Sequence, residues 1–539
     1  MAAATTLSKP RQQLTLAVLL LSSLLIWMDN VVLNTAFEVL ADPTRGLGAT
    51  PAELQWATGA YTLVFAALMF AAGSLGDRFG HRTVLVTGLV IFALASVWAA
   101  YSGNPGELVT ARALMGVGSA LIMPATMAIL SWAFVGPARA TAFGLSSASA
   151  GVGMAVGPVV AGILLEHFWW GSVFLINVPV VLLAAVGLVA LVPDFRSPTA
   201  RRMDPAGLLL SISGLSLLAY GLIRAGQVTA WSGVDVWAPV AAGLALLALF
   251  VVVELRSRQP SFDPRLLVHR TFGGGTAALG LLLFAMTATL FYSTFYLQGA
   301  RGFSPLQAGL LMTPSAVGAM IGGPLGVRWA RRFTLRVVSS TALIVSAAAM
   351  GAFAFFDLRT PLLQLEIVMS VQGIAVGMVM GTVTGALMNA LPLEQAGAGS
   401  AVTNTVRQTG SVLGIAIGGT LLSITYRQAV EPLAQDLPAS VRDQVQISAE
   451  QARHAAETLQ LPGLADAADT AFIHALHVGS VCAMFVALAG AAVLACTLRS
   501  AGKPSVLGGS AGGEAAAADS EPSVAGVAEW PGDGMHGRH

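Results

Sequence analysis

Three ionisable residues stand deep within long apolar stretches of this chain: Asp29, Arg112 and Arg407. An ionisable group at membrane depth is costly, and it is kept for pairing, proton transfer or ligand capture. Asp29 lies about 15 residues into its stretch, roughly 22 Å along a helix, while Arg112 lies about five residues into its own from the opposite side, roughly 8 Å. In an apolar layer about 30 Å thick the two reach similar depth. A carboxylate and a guanidinium at one level suggest a direct or water-mediated pair that takes up and releases a proton. The other reading is a fixed ion pair that locks two helices. Arg407, beside Asn404 and Gln408, lies near the middle of its stretch. It is a candidate to meet Asp29, a ligand acceptor group or backbone carbonyls at a gate, and a structural role stays open.

No nucleophile–base set, metal cluster or cofactor motif accompanies these residues. The two lysines, Lys9 and Lys503, do not follow a glycine-rich loop, so no nucleotide-binding P-loop is expected. Cys482 and Cys496 lie in one apolar run, about 21 Å apart on a helix, which excludes a mutual bridge and a structural zinc site. His474 and His477 open the last apolar stretch and are read as interfacial. Gly508–Gly512 matches Gly-x-Ser-x-Gly inside a low-complexity tail, without the strand–turn–helix that motif requires. The chain is therefore expected to be no enzyme, with no metal and no cofactor. Its 28 basic and 27 acidic residues leave a net charge of +1, which argues against a nucleic-acid partner.

The elements that must position these residues follow from composition. The chain has 539 residues, 55% hydrophobic and only 10% charged, where a soluble protein carries about 25% charged residues. Such a chain cannot clothe a soluble surface, and a bilayer is the solvent that fits. Fourteen apolar stretches are bounded by charges, Pro or Gly: 14–34, 54–75, 83–101, 107–130, 140–165, 170–192, 206–223, 236–254, 272–297, 305–327, 335–355, 362–388, 399–422 and 471–497. The expected fold is all-α and integral to the membrane. With the N-terminus in the cytoplasm, nineteen Lys and Arg fall in inside segments and seven in outside ones, as the positive-inside rule favours. Both termini are then cytoplasmic, and the chain is a multi-pass protein of the cell membrane.

The expected organisation has five parts. Residues 1–13 form a cytoplasmic N-terminus, 14–192 a six-helix half, and 193–271 linkers with two inserted helices. Residues 272–500 form a second six-helix half that includes an outside loop at 424–470, and 501–539 form a disordered cytoplasmic tail. The two halves repeat. GSLGDRFGHR at 73–82 aligns with GGPLGVRWARR at 322–332, so that Gly76, Arg78 and Arg82 fall on Gly326, Arg328 and Arg332. AGVGMAVGPVVAG from Ala150 has a counterpart in TGSVLGIAIGG from Thr409. Two like-oriented halves imply a rocking transporter with a site between them near midplane. The fifth stretch carries Gly144, Gly153, Gly157-Pro158 and Ala161-Gly162. Small residues at these offsets let a neighbouring helix approach closely, and Pro158 bends the span, which suits a hinge or seal.

These motifs resemble those of the major facilitator superfamily, and within it the 14-helix drug:proton antiporters. DNVVLNTA at Asp29–Ala36 is similar to the family's first-span signature, departing at Val31 and Glu38. LQWATGAYTL at Leu54–Leu63 is similar to the second-span opening, through Gln55, Trp56 and Tyr61. GSLGDRFGHR resembles the cytoplasmic loop motif through Gly73, Asp77, Arg78, Gly80 and Arg82. Arg112 with Gly116 and Gly118 resembles the fourth-span motif linked to proton coupling, with Met115 at a common glutamine position. The fifth span is similar to the antiporter motif, with Ala161 as its departure. RGFSPLQAGLLMTP at Arg301–Pro314 resembles the tenth-span opening of this branch.

The resemblance implies proton-coupled export of amphiphilic small molecules, drugs, antibiotics or dyes, by alternating access. An uptake symporter for a small metabolite is the alternative. Asp29 and Arg112 are the expected coupling residues. The conformational switch falls on Gly73, Asp77, Arg78, Arg82, Gly153, Gly157 and Pro158, and the resemblance sets Asp77 against the start of the thirteenth span, near Gly399–Ala401. Substrate contacts are expected from Asp29, Asn34, Trp56, Tyr61, Tyr292, Tyr296, Asn404 and Arg407. With Asp29 as the deep carboxylate, monocationic, neutral or anionic substrates are favoured over dications. The expected partners are the substrate, protons and the lipid bilayer, with no nucleic acid or nucleotide, and the chain is expected to act as a monomer.

Overall fold

The computed structural model describes residues 9–134, 137–193, 205–228, 233–257, 264–391, 396–435 and 437–498. The tail expected over 501–539 lies outside the described residues, as do residues 1–8 and 194–204 of the expected cytoplasmic segments. The first half is built from α1 (Lys9–Thr35), α2 (Pro51–Phe79), α3 (His81–Ala100), α4 (Pro105–Ala133) and α5 (Pro137–His167). Its last helix, α6 (Asn177–Leu191), is entered through the single turn Ser172–Leu175. Two further helices follow, α7 (Pro205–Gln227) and α8 (Val234–Arg256). The second half holds α9 (Arg270–Thr294), α10 (Pro305–Arg332), α11 (Leu335–Ala352), α12 (Leu362–Asn389), α13 (Ala396–Ala434) and α14 (Pro462–Thr497).

All fourteen apolar stretches are thus helical. Twelve helices among the described residues are long and apolar enough to cross a membrane. The other two are α2, which carries Glu53, Asp77 and Arg78, and α5, whose described apolar part is Gly151–His167. Large apolar side chains such as Leu94, Val186, Leu244 and Phe485 remain exposed on the outside of the bundle, where lipid rather than water is their solvent.

Helix starts are written locally. Thr50 and Ser304 close capping boxes with Glu53 and Gln307, and each is followed by Pro at the first helical position. Asn104 caps α4 by accepting from the Glu107 N–H, again with Pro next. A side-chain acceptor followed by a residue with preset φ satisfies orphan N–H groups at little entropic cost. The caps move the starts of α2 and α4 back to Pro51 and Pro105, while α10 begins at Pro305 as expected. The loop read at 73–82 is mostly helix, because α2 runs on to Phe79 and turns at Gly80, whose φ of 102° suits a residue without Cβ. The outside loop read at 424–470 is also largely helical. It shrinks between the longer α13 and α14 and contains Ala439–Ile447 and Ala449–Leu459.

Packing repeats between the halves. In the first, α1 packs on α5 and α6, α2 on α4, and α3 on α4 and α6. In the second, α9 packs on α13 and α14, α10 on α12, and α11 on α12 and α14. The halves meet through two matching seams, α5 against α10 and α2 against α13. The inserted α7 rests on α13 and α2 beside the second seam, and α8 packs behind it. In the first seam, a methyl group at Gly162 would collide with the Leu306 backbone, and one at Gly309 with the Pro158 carbonyl. On the other side of α5, a methyl at Gly153 would sit 2.9 Å from Trp27 Cβ. The small residues of α5 therefore let it touch α1 and α10 at once.

The end of the bundle that carries Phe37 is sealed, the outer side in the orientation expected from the sequence. The Phe37 ring lies 5.3 Å from that of Phe291 and 5.8 Å from that of Phe295. Gln298 Nε2 donates to the Thr35 carbonyl at 2.8 Å, and Ser304 is hydrogen-bonded to Glu166. Phe295–Ala300 forms a π-helical turn at the outer end of α9, which places Phe295 and Gln298 in this seal. Lower in α2, Gly59 and Gly73 border open space.

Candidate functional site

Asp29 on α1 and Arg112 on α4 are each 1% exposed, with Arg112 Nη1 2.6 Å from Asp29 Oδ2. The contact is direct. Arg112 Nε also donates to the Ala57 carbonyl on α2 at 3.3 Å, and its guanidinium lies 4.3 Å from the Tyr61 ring centroid. An arginine over an aromatic face keeps part of the stabilisation it loses with water. The Tyr61 hydroxyl is 2.8 Å from Ser119 Oγ and accepts from Asn30 Nδ2 at 3.3 Å. The second carboxylate oxygen, Asp29 Oδ1, accepts from Asn177 Nδ2 of α6 at 3.2 Å, and the same amide donates to Ser96 Oγ of α3 at 3.3 Å. Five helices of one half thus converge on one buried carboxylate. A buried charge pair with its lone pairs and protons satisfied is tolerated, whereas one with a partner removed is not.

The sequence singled out Asp29, Arg112 and Tyr61, and the fold brings them together. It did not single out Asn177, Ser96, Ser119 or Asn30. The available signal for Asn177 was a polar residue inside the stretch 170–192. Tyr61 is fully buried beneath Arg112, so it supports the pair rather than lining a cavity. Asn34 turns to its own helix and donates to the Asn30 carbonyl at 3.2 Å.

The remaining cavity-lining candidates are largely placed elsewhere. Trp56 packs against α7, near Leu222 and with its ring 6.5 Å from Tyr220, so it seats the inserted helices. Tyr292 meets Thr289 Oγ1 at 3.1 Å and lies beside Gly479 of α14, inside its own half. Tyr296 donates to the Asp357 carbonyl at 2.8 Å. The α9 residues that face the other half are Phe291 and Phe295, each one position before a proposed tyrosine. The physical reason is helix rotation, since neighbouring positions point about 100° apart. Asn404 and Arg407 on α13 are half-buried, and Arg407 Nη1 is 3.5 Å from Asn404 Oδ1. Arg407 Nε is buried without a hydrogen-bond partner.

Of the switch residues, Gly153, Gly157 and Pro158 lie in the contacts of α5 with α1 and α10. Arg78 is exposed at the end of α2. Arg82 donates to the Val192 carbonyl at 3.1 Å, and Arg11 to that of Leu191 at 2.8 Å. Both caps neutralise the carbonyl end of α6. The Asp77 side chain, and with it the expected contact near Gly399–Ala401, lies outside the described residues.

A second ionic constellation sits outside. Arg453, on the short helix Ala449–Leu459, reaches Asp469 at 2.6 Å, Glu38 at 3.1 Å and Glu450 at 3.4 Å. Glu38 follows α1, 415 residues away in sequence. Glu38, Glu450 and Arg453 border a cavity of about 590 Å³ that Asp42, Glu166 and Gln298 also line. Burial and then the Glu450 charge push the Glu38 carboxyl up to about 8, against the lowering influence of Arg453. For Arg453, burial favours loss of the proton, but the surrounding carboxylates outweigh it and hold the guanidinium charged.

The sequence model of the Major Facilitator Superfamily matches residues 19–415. The chain is 34% identical to the multidrug efflux pump LfrA of Mycolicibacterium smegmatis, over 92% of this chain and 98% of that protein. It is 34% identical to the methyl viologen resistance protein SmvA of Salmonella typhimurium, over 89% and 97%. It is 36% identical to the cephamycin export protein CmcT of Amycolatopsis lactamdurans, over 73% and 82%. Among solved structures, a bacterial homologue of the human lysosomal transporter Spinster, inward-facing and unoccupied, superposes with a TM-score of 0.65. It covers 91% of this chain and 98% of that one at 17% identity, a likeness of fold alone.

Proposed function

The chain belongs to the major facilitator superfamily, and from that premise we propose that it is a proton-coupled antiporter. It exports small amphiphilic molecules, such as drugs, antibiotics or dyes, from the cytoplasm by alternating access. The observation that carries this reading is the Asp29–Arg112 pair, fully buried within one half beneath a sealed outer side. The names of its relatives as efflux, resistance and export proteins support the direction.

In the ionised state the carboxylate holds the guanidinium, and α1 and α4 are tied together. A proton arriving on Asp29 while the outside is open removes that tie. Arg112 then keeps the Ala57 carbonyl, the weak acceptor Met115 Sδ and the Tyr61 ring, an arrangement that is costly for a buried cation. The unpaired guanidinium therefore favours a rearranged state or a new acceptor, and this couples protonation to rocking and to release of substrate. The proton leaves to the cytoplasm when the inside is open. One proton falling through about 150 mV supplies roughly 3.5 kcal/mol, enough for a gradient of a few hundredfold. Asn404 and Arg407, half-buried on α13, are the side chains we assign to substrate contact. The protein works as a monomer with both termini in the cytoplasm, uses no cofactor besides the coupling proton, and has no enzymatic activity.

Reconstituted protein under an imposed pH gradient tests this reading. A lipophilic cationic dye should move against the proton flow, and a protonophore should stop it. Dye movement in the same direction as the protons would favour uptake and overturn the proposal.

A further inference from the structure

Asn177 is 1% exposed, and its amide donates to both Asp29 Oδ1 and Ser96 Oγ, while its own Oδ1 is buried with no hydrogen-bond partner among the described residues. The orphan acceptor lies on the same amide that serves the coupling carboxylate. An ionised carboxylate only accepts hydrogen bonds, whereas a protonated one must also donate. A partner that only donates therefore fits one protonation state and opposes the other. A primary amide carries both functions in one planar group, with its oxygen and nitrogen exchanged by a half-turn about the Cβ–Cγ bond.

We propose that Asn177 is a positioning residue for proton coupling, whose amide turns over when Asp29 takes up its proton. In the ionised state Nδ2 donates to Asp29 and to Ser96. In the protonated state Oδ1 accepts the Asp29 O–H, and the Ser96 hydroxyl reverses from acceptor to donor toward the same oxygen. No covalent bond changes except the O–H formed on Asp29, and the proton comes from the transport cycle. The reversal reports the charge of Asp29 on α1 to α6 and α3. This proposal rests on the antiport reading, because Asp29 must change protonation state during the cycle.

The electrostatic surroundings are sparse. Of the elements packed on α1, α4 supplies Arg112, in direct contact with Asp29, and Glu107 in its first turn, the short helix Phe37–Ala41 carries Glu38, held by Arg453, and α6 has no ionisable residue within Asn177–Leu191. Glu166 and His167 stand at the outer end of α5, and Arg328, Arg331 and Arg332 at the far end of α10. On α9, Arg270 opens the helix and Tyr292 faces α14. From α2, Tyr61 lies under Arg112. Asn177 is thus the neutral group set directly on the carboxylate.

Infrared difference spectra of the reconstituted full chain, recorded across a pH step, read the reversal directly. The unmodified protein should show a protonated-carboxyl C=O band, absent in Asp29→Asn, that appears together with a shifted side-chain amide band. Asn177→Leu should abolish the amide shift and move the carboxyl band toward a non-hydrogen-bonded position. It removes a charge-assisted donor from the ionised form and a weaker bond from the neutral one, so the pH midpoint of dye transport should rise by about one unit. Asn177→Ser, whose hydroxyl also donates and accepts, should retain more than half of the transport and a smaller midpoint shift. It also serves if the leucine variant fails to reach the membrane. An amide band in the unmodified protein that ignores the carboxyl titration overturns the proposal, as does an unmoved midpoint in the variants. If no pH-linked carboxyl band depends on Asp29, the antiport assignment itself fails, which separates the two claims.

Discussion

Two ionic clusters of this molecule differ in balance and in placement. The inner one sets a single carboxylate, Asp29, against a single guanidinium, Arg112, both 1% exposed and both in the first half. The outer one sets Glu38, Glu450 and Asp469 around Arg453, which is 20% exposed, and joins the end of α1 to a helix that follows α13. The inner cluster lies wholly within one half and does not bridge the seams between the halves. The outer one ties the two halves on the sealed side, beside Phe37 and Gln298, so the proposed outward opening would part it. Balance and dryness suit the proton-coupling role proposed for it. Excess negative charge at a half-wet seam suits a seal whose strength varies with pH.

The comparison can be broken at either end. Asp29→Asn should reduce proton-driven dye export to the background of empty vesicles, while Glu38→Gln should keep a substantial fraction. Equal losses from both would erase the distinction. Thermal unfolding in detergent separates the clusters next. Arg112→Met leaves a dry carboxylate unpaired and should cost about 3–5 kcal/mol. Arg453→Met, at a partly wet site where water and salt screen charges, should cost about 1 kcal/mol.

A third measurement sharpens the role of the outer cluster through pH. The Glu38 carboxyl is raised from an ordinary 4.5 to about 8 in the sealed state, so sealing favours its protonated form. Its contribution to the seal is complete below 4.5 and is lost as the outside pH rises through 8. Labelling of a cysteine placed at Asp42, on the outer cavity, should therefore speed up between these limits, and Glu38→Gln should flatten the response. The smallest effect is expected from Gln298→Leu, which removes one hydrogen bond to Thr35 worth about 1 kcal/mol. Cysteine labelling should report an outward-open population about fivefold larger.

Much of the architecture is legible in the sequence because it depends on local, additive quantities. Hydropathy over about 20 residues marks each span, and the three outer caps followed by proline mark where α2, α4 and α10 begin. The loop motif at 73–82 and its copy at 322–332 disclose the repeat. The rarity of charge within the spans singles out Asp29, Arg112 and Arg407 without any knowledge of packing.

What the sequence could not supply is the rotation of each helix about its axis. In a soluble protein the apolar stripe reveals the inward face, but in a bilayer lipid-facing and core-facing sides are both apolar, and the stripe fades. For that reason the tyrosines of α9 were candidates for the cavity wall, while the structure turns Phe291 and Phe295 to the opposite half and Tyr292 and Tyr296 to their own. For the same reason Trp56 proved to seat α7. Contacts between distant residues are equally invisible in the order of the chain: Asn177 meets Asp29 across 148 positions and Arg453 meets Glu38 across 415. Composition alone determined that this chain lives in a membrane and which few charges it carries there. Only the tertiary structure decided which partners those charges have, because partnership depends on helix rotation and close approach, and neither is an additive property of residues.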